Sequence, residues 1–388
     1  MLNLLWLLLP VAAAAGWFAG RRSGSASAPD AYWNYTSNFH KGLNFLLNDR
    51  QANPADLFDN LSDTDRDTAD THLALGNLYR RRGEVDKAIL LHESLADRSE
   101  LGEEVVAAAR YELARDYDSA GLLDRSESLF RELVEQGLRE EDAYSSLLQL
   151  HERERDWAGA IEVAEQLESV GGTRRSSLVA HYHCELAEQA RSDGYADESA
   201  SLLEKALQEN DQCARAHIML ANIAMERNAP DVAIKHYDKV EKDRPELMPE
   251  IIQPRFDALI QTGNAGALEL FIKHIQSQRN AYSVIRTTRA VLEEHYGHEL
   301  AEKFFKDQIL KRPSLKGLRD WAQDQLEISK PDERDKVAVI CSMLDKVVEE
   351  KPAYQCDNCG FRGNVLHWRC PSCGTWDSVR TIIGVEGE

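Results

Sequence analysis

Glycine and proline are scarce in this chain of 388 residues, at 22 and 11, and aromatic side chains make up only 7% of it. β-rich architectures need glycine and proline for their many turns and aromatics for their pleated faces, so the shortage predicts a helical protein. Basic residues are also in deficit. Against 66 acidic side chains stand 46 basic ones, a formal charge of −20. A body of that sign repels a phosphate backbone, and no nucleic-acid partner is expected. Catalytic signatures are missing as well: there is no HExxH, no GxSxG, no P-loop and no glycine-rich dinucleotide turn. No residue is nominated as catalytic and no organic cofactor site is expected. The length leaves room for roughly two or three domains.

Charge is absent altogether from Leu2 to Gly20 (LNLLWLLLPVAAAAGWFAG), and Arg21-Arg22 follows at once. Those residues, at ~1.5 Å each, span about 28 Å, close to the ~30 Å hydrocarbon core of a bilayer. The pattern predicts one transmembrane helix over residues 1–20. Pro10 is tolerated better in such a helix than in a soluble one, and Trp6 and Trp17 lie toward its ends, where interfacial rings are favoured. A cleaved signal peptide would carry positive charge ahead of the apolar run, and Met1-Leu2-Asn3 has none. The positive-inside rule places Arg21, Arg22 and all that follows in the cytoplasm. Residues 21–31, with the small, polar run SGSASAPD, form a flexible tether.

Residues 32–351 repeat themselves at a period of 34 to 39 residues. The stretches LGNLYRRRGEVDKAILLH from Leu75, LARDYDSAGLLDRSESLF from Leu113, LLQLHERERDWAGAIEVA from Leu147 and LANIAMERNAPDVAIKHY from Leu220 share one grammar. An apolar residue precedes a small or apolar one (Leu75-Gly76, Leu113-Ala114, Leu147-Leu148, Leu186-Ala187, Leu220-Ala221). A turn follows, often with glycine (Gly83, Gly121, Gly194), then a small residue at Ala88, Ser126, Ala160, Ser199 or Ala233. Small residues let two antiparallel helices approach while larger ones fill the gap to the next pair. This is tetratricopeptide grammar and predicts an all-α superhelix. Pro245 and Pro313 mark ends of second helices. Weaker copies run from Phe39 to Leu61, where Pro54 disturbs the second helix, and from Glu250 to Leu310. The concave side of such an array binds polypeptides. Asn77 and Asn222 fall on groove positions, but Leu73 and Ile218 stand where a carboxylate clamp would need lysine.

Four of the seven cysteines lie in residues 352–388, as Cys356-Asp-Asn-Cys359-Gly and Cys370-Pro-Ser-Cys373-Gly. A two-residue gap lets both thiolates of a pair face one ion, and Gly360 and Gly374 allow the left-handed turn that each knuckle requires. One iron or zinc ion bound by Cys356, Cys359, Cys370 and Cys373 is expected, and the spacing does not choose between the metals. So short a segment has little core of its own, and the ion supplies its folding energy. Tyr354, Phe361, Trp368 and Trp376 are expected to cover that small core. With four thiolates available, His367 is not needed as a ligand. Cys184, Cys213 and Cys341 read as small buried side chains. His181 and His183, two apart on a helix, point to different faces and make a poor metal pair, and His295 and His298 read as a solvated helix end.

The run LLLPVAAAAGWFAGRR from Leu7, LNFLL at Leu43, LGNLYRRRGEVDKAI from Leu75, RDYDSAGLLDRSESLF from Arg115, and CDNCGF with HWRCPSC near the end together resemble the lipopolysaccharide assembly protein B family. The resemblance runs from end to end. It implies an anchor, a tetratricopeptide superhelix and a C-terminal rubredoxin-like metal ribbon that packs back on the repeats. It also implies a non-enzymatic adaptor in the inner membrane. Such an adaptor helps a membrane-bound AAA+ zinc protease degrade the deacetylase that commits precursors to lipid A, and an inner-membrane sulfatase-like regulator of lipopolysaccharide level opposes it. The four cysteines are needed for function in that family. Self-association stays open. The alternative is a membrane-tethered rubredoxin-type electron-transfer protein, although no flavin or nicotinamide motif accompanies the ribbon.

Overall fold

The computed structural model describes residues 66–385 apart from 279 and 350. The predicted transmembrane helix, the tether and the weak repeat near Phe39 lie outside the described residues. Among the described residues no helix is long and apolar enough to cross a membrane. The described residues divide into two compact units, with the boundary between Leu122 and Leu123.

In the first unit, α1 (Arg66–Arg81), α2 (Val85–Ala96) and α3 (Glu103–Ser119) follow one another. Gly83, at φ 80°, stops α1, and the amide of Glu84 reaches back to the Tyr79 carbonyl at 2.9 Å. That is the left-handed helix stop in which a glycine avoids a Cβ penalty. Gly76 serves a different end. A Cβ there would lie 2.2 Å from Nε2 of His92, so the absence of a side chain on α1 makes room for a fully buried imidazole on α2. Nδ1 of His92 faces the Asp116 carboxylate of α3 at 2.5 Å, and Arg80 joins Asp116 to Glu112. A buried polar pin thereby ties the three helices together.

The second unit contains α4 (Leu123–Glu135), α5 (Glu140–Glu154), α6 (Trp157–Gly171), α7 (Ser176–Ser192), α8 (Ala196–Glu209), α9 (Ala214–Glu226) and α10 (Pro230–Asp243). It continues with α11 (Met248–Gln261), α12 (Ala265–Ser277), α13 (Tyr282–Tyr296), α14 (His298–Lys311), α15 (Leu315–Ile328) and α16 (Pro331–Glu349). Sequential helices pair as hairpins from α5/α6 to α15/α16. The same backbone stop recurs between first and second helices. Tyr195 donates to Ala190 across Gly194, but Asp156 donates to His151 across Arg155, and Ala229 to Ala224 across Asn228, with Arg155 and Asn228 at φ 58° and 55°. Glycine is therefore favoured at this position but not required. The small second-helix residues Ala88, Ser126, Ala160, Ser199 and Ala233 are all fully buried, as close helix approach demands. α10 ends at Asp243 before Pro245, and α14 at Lys311 before Pro313.

Three short antiparallel strands complete the second unit: β1 (Tyr354–Cys356), β2 (Arg362–Gly363) and β3 (Val379–Thr381), ordered β2-β1-β3. Tyr354 pairs with Gly363 on one side of β1 and with Thr381 on the other. The described fold is thus a tetratricopeptide stack of helices carrying a small C-terminal ribbon.

Candidate metal centre

Two knuckles of the same geometry supply the sulfurs. In the first, the Gly360 amide donates to the Cys356 carbonyl at 2.9 Å and the Cys356 amide to Phe361 at 2.8 Å; in the second, Gly374 donates to Cys370 at 2.9 Å and Cys370 to Thr375 at 3.0 Å. Gly360 and Gly374 sit at φ 76° and 71°, conformations that a Cβ would strain. The turns bring Cys356, Cys359, Cys370 and Cys373 together with all four sulfurs within 4.8 Å of one another. Across the knuckles Cys356 Sγ lies 3.8 Å from Cys373 Sγ and Cys359 Sγ 3.7 Å from Cys370 Sγ. Sulfurs around a tetrahedral ion at ~2.3 Å stand about 3.8 Å apart. The donor set and its spacing therefore fit one sulfur-bound ion.

Neighbouring side chains prepare the thiolates. Thr375 Oγ1 lies 3.3 Å from Cys373 Sγ, and Asn358 Nδ2 donates to that sulfur at 3.4 Å. Together they lower the Cys373 thiol to about 5. The Ser378 hydroxyl, 3.3 Å from Cys356 Sγ, leads the contacts that lower Cys356, whereas burial raises Cys370 to about 11. A set of four sulfurs closes the coordination shell, which leaves no position for a reactive water and suits a structural ion. His367 lies apart from this set, with its ring against Phe361.

The aromatic residues of the ribbon are divided differently from the sequence expectation. Tyr354 and Phe361 do pack on the small core of Cys356, Cys370 and Val379. Trp368 and Trp376 turn outward onto the helices. Trp368 packs against the core of the helical stack. Trp376 stands edge-on to Trp157 and Tyr182, at 5.9 and 5.8 Å, and stacks on His181 at 5.3 Å. The reason is area: a few sulfurs and one valine offer too little apolar surface to bury two indoles, and the groove between α5, α6 and α7 offers more.

Polar contacts fix the register of that docking. Glu152, near the end of α5, accepts from Tyr182 Oη at 2.6 Å, from Trp376 Nε1 at 2.8 Å and from Arg369 Nη2 at 2.9 Å. Arg244 grips Asp377 through two hydrogen bonds of 2.7 and 3.2 Å. Thr381 donates to the Glu246 carbonyl at 3.2 Å, and the Tyr354 hydroxyl donates to Glu250. His181 is almost fully buried, and this desolvation depresses its pKa to about 4.

The remaining sequence candidates are structural. His181 is the platform for Trp376, and Cys184 packs beside Cys213 with sulfurs 3.9 Å apart. Asn77 accepts from Arg80 within α1, and Asn222 on α9 accepts from Tyr237 on the neighbouring α10, so both groove amides are engaged within the helical hairpins. His298 pairs with Glu293 at the surface. Glu152, Trp157, Tyr182 and Arg244 did not stand out in the sequence. One signal was available. Glu152 follows Leu148 by four residues, which puts a carboxylate in the apolar stripe of α5.

Comparison with known proteins agrees with this division. Residues 354–381 match the rubredoxin metal binding domain family. Residues 71–104, 111–172 and 184–246 match tetratricopeptide repeat families. Over its whole length the chain is 33% identical to lipopolysaccharide assembly protein B of Escherichia coli, covering 100% of both chains. It is 31% identical to the protein of the same name from Haemophilus influenzae, again covering 100% of both.

Proposed function

The chain belongs to the lipopolysaccharide assembly protein B family, and from that premise we propose that it regulates lipopolysaccharide synthesis as a membrane-tethered adaptor rather than an enzyme. In this reading residues 1–20 anchor it in the inner membrane with its body in the cytoplasm. There it presents the deacetylase of the lipid A pathway to a membrane-bound AAA+ zinc protease, and a sulfatase-like membrane protein opposes it. The observation that carries the adaptor reading is the ribbon's closed four-sulfur centre, docked through Trp376 and Arg369 on a helical stack. Such a centre supplies a cross-link when an ion is bound. The chain's own residues then hold the ribbon against α5 and α7.

Tethering works by concentration. Confining adaptor, protease and substrate to one membrane raises their effective concentration without any new contact. Deletion of residues 1–22 should therefore let the deacetylase accumulate in cells, as followed by immunoblot against a chain of unchanged abundance. Normal deacetylase turnover by the truncated form would remove tethering from the account.

A further inference from the structure

Between α14 and α15 in the second unit lies an open cavity of about 410 Å³ lined by Lys306, Ile309, Leu310, Leu315, Leu318 and Trp321. Its walls are apolar, yet Leu310 is 73% exposed and Leu318 and Trp321 are more than two-fifths exposed. A second cavity of about 700 Å³ adjoins it across Pro313 and Val385, and its lining is mixed: Gln276, Gln278, Gln308, Lys311 and Arg312 stand beside Ile285 and Val385. Together they form one groove with an apolar half and a half of mixed polarity.

The charge around it runs against the rest of the chain. Residues 303–319 hold six basic side chains and one acidic one, in a protein of formal charge −20. Lys303, Lys306 and Leu310 are spaced three and four apart on α14, so they share one face. All three are exposed. Lys306 and Lys311 make no ion pair among the described residues. Arg319 is already tied to Asp320, and Asp307 is the one opposing carboxylate in the segment. Unpaired lysines beside exposed leucines and a tryptophan make an incomplete surface, complementary to carboxylates flanked by apolar side chains. The mixed half, with polar and cationic groups among apolar ones, fits a polypeptide with its backbone donors and acceptors better than it fits acyl chains.

We propose that this groove receives an acidic peptide segment of another protein, whose apolar side chains enter between Leu310, Leu318 and Trp321 while its carboxylates face Lys306 and Lys311. The proposal rests on the chemistry of the groove and holds whichever proteins the adaptor joins.

Site-specific photo-crosslinking in the intact cell tests it on the full chain. Benzoylphenylalanine replaces Leu318 in one strain and the exposed Leu270 of α12 in a control strain, and crosslinked peptides are identified by mass spectrometry. The expected product at position 318 is a segment of a different protein rich in Asp or Glu and interrupted by apolar residues. Its yield falls about tenfold when Lys306→Glu and Lys311→Glu are combined, and is kept by Lys306→Arg with Lys311→Arg, because charge and not side-chain identity draws the partner. These lysines are exposed, so the variants fold. Products carrying phospholipid, products joining two copies of this chain, a yield no greater than at position 270, or indifference to charge reversal would each overturn the proposal.

Discussion

Removing the Glu152 carboxylate should release the ribbon from the helical stack, and the cost can be worked out from its three partners. In Glu152→Ala the Tyr182 hydroxyl, on a fully buried side chain, loses its acceptor at 2.6 Å. An unpaired buried donor costs about 1–3 kcal/mol. The half-buried Trp376 loses its N–H acceptor at 2.8 Å and adds a smaller amount. Arg369 keeps 34% of its side chain in solvent, so it rehydrates and contributes under about 1 kcal/mol. The total is about 3 kcal/mol. Glu152→Gln keeps a carbonyl for Tyr182 and Trp376; its amide NH2 then faces Arg369, which turns to solvent, so the variant loses the half-solvated ion pair at about 1 kcal/mol. Hydrogen exchange read by mass spectrometry over residues 354–381 measures the difference. Where β1 and β3 exchange through ribbon opening, the alanine variant should exchange on the order of 100-fold faster than the parent and the glutamine variant only a few-fold faster. Equal rates in the two variants would show that the buried donors do not hold the ribbon, and the reasoning would fail.

His181 should give the second unit an acid limb. Burial depresses its pKa to about 4 from an unfolded value near 6.5, so the folded state excludes a proton that the unfolded state accepts. The resulting stability is complete above pH ~6.5 and declines as pH falls toward ~4, by about 2 kcal/mol at pH 5. Burial also lowers His183, His217 and His236 in this unit, so thermal unfolding over this range should show a steeper decline in the parent than in His181→Gln. Asp377 acts in a separate window. Burial opposes its ionisation, but Arg244 holds its pKa below the usual carboxylate value, so its contribution is lost only at still lower pH. In the first unit, Gly76→Ala should destabilise by about 2–3 kcal/mol, because the new Cβ meets an imidazole that Asp116 prevents from swinging away. Gly83→Ala, at φ 80° with open space around it, should cost only about 1–2 kcal/mol. Denaturant midpoints that rank the two in the opposite order would refute the steric argument.

Local geometry explains what was legible. A CxxC knuckle is complete within a few residues, since its glycine, turn and sulfurs need no distant partner; Cys356, Cys359, Cys370 and Cys373 could thus be grouped from spacing alone. The five strongest repeats were legible for a related reason. Helix approach demands a small residue at a fixed place, and Ala88, Ser126, Ala160, Ser199 and Ala233 meet that demand. From α11 onward the grammar fades. α11 carries Pro254 within it, and bulky Phe256 and Phe271 fill the space between α11 and α12 by packing edge to face at 5.1 Å, so α11–α14 had to be inferred from a weak copy.

The docking of the ribbon was hidden because it is a relation between distant residues. Trp376 and its acceptor Glu152 are 224 residues apart, and a helical period shows which face of α5 is buried without showing what buries it. The HYHC run shows the same limit. Two histidines and a cysteine suggest metal chemistry by type, yet Cys184 packs beside Cys213, and His181 spreads its ring under an indole. Charge placement is the more informative clue. A carboxylate in the last turn of a helix opposes the macrodipole, and within an apolar stripe it also loses hydration. Glu152 carries both penalties, so a cationic or hydrogen-bond-donating partner had to exist somewhere in the chain. Arg369 lies next to Trp368 and seven residues before Trp376, immediately ahead of the second knuckle, and meets that need; the residue in the same place before the first knuckle is the neutral Gln355. The asymmetry between two otherwise equivalent knuckles is what selects the face of the ribbon that docks.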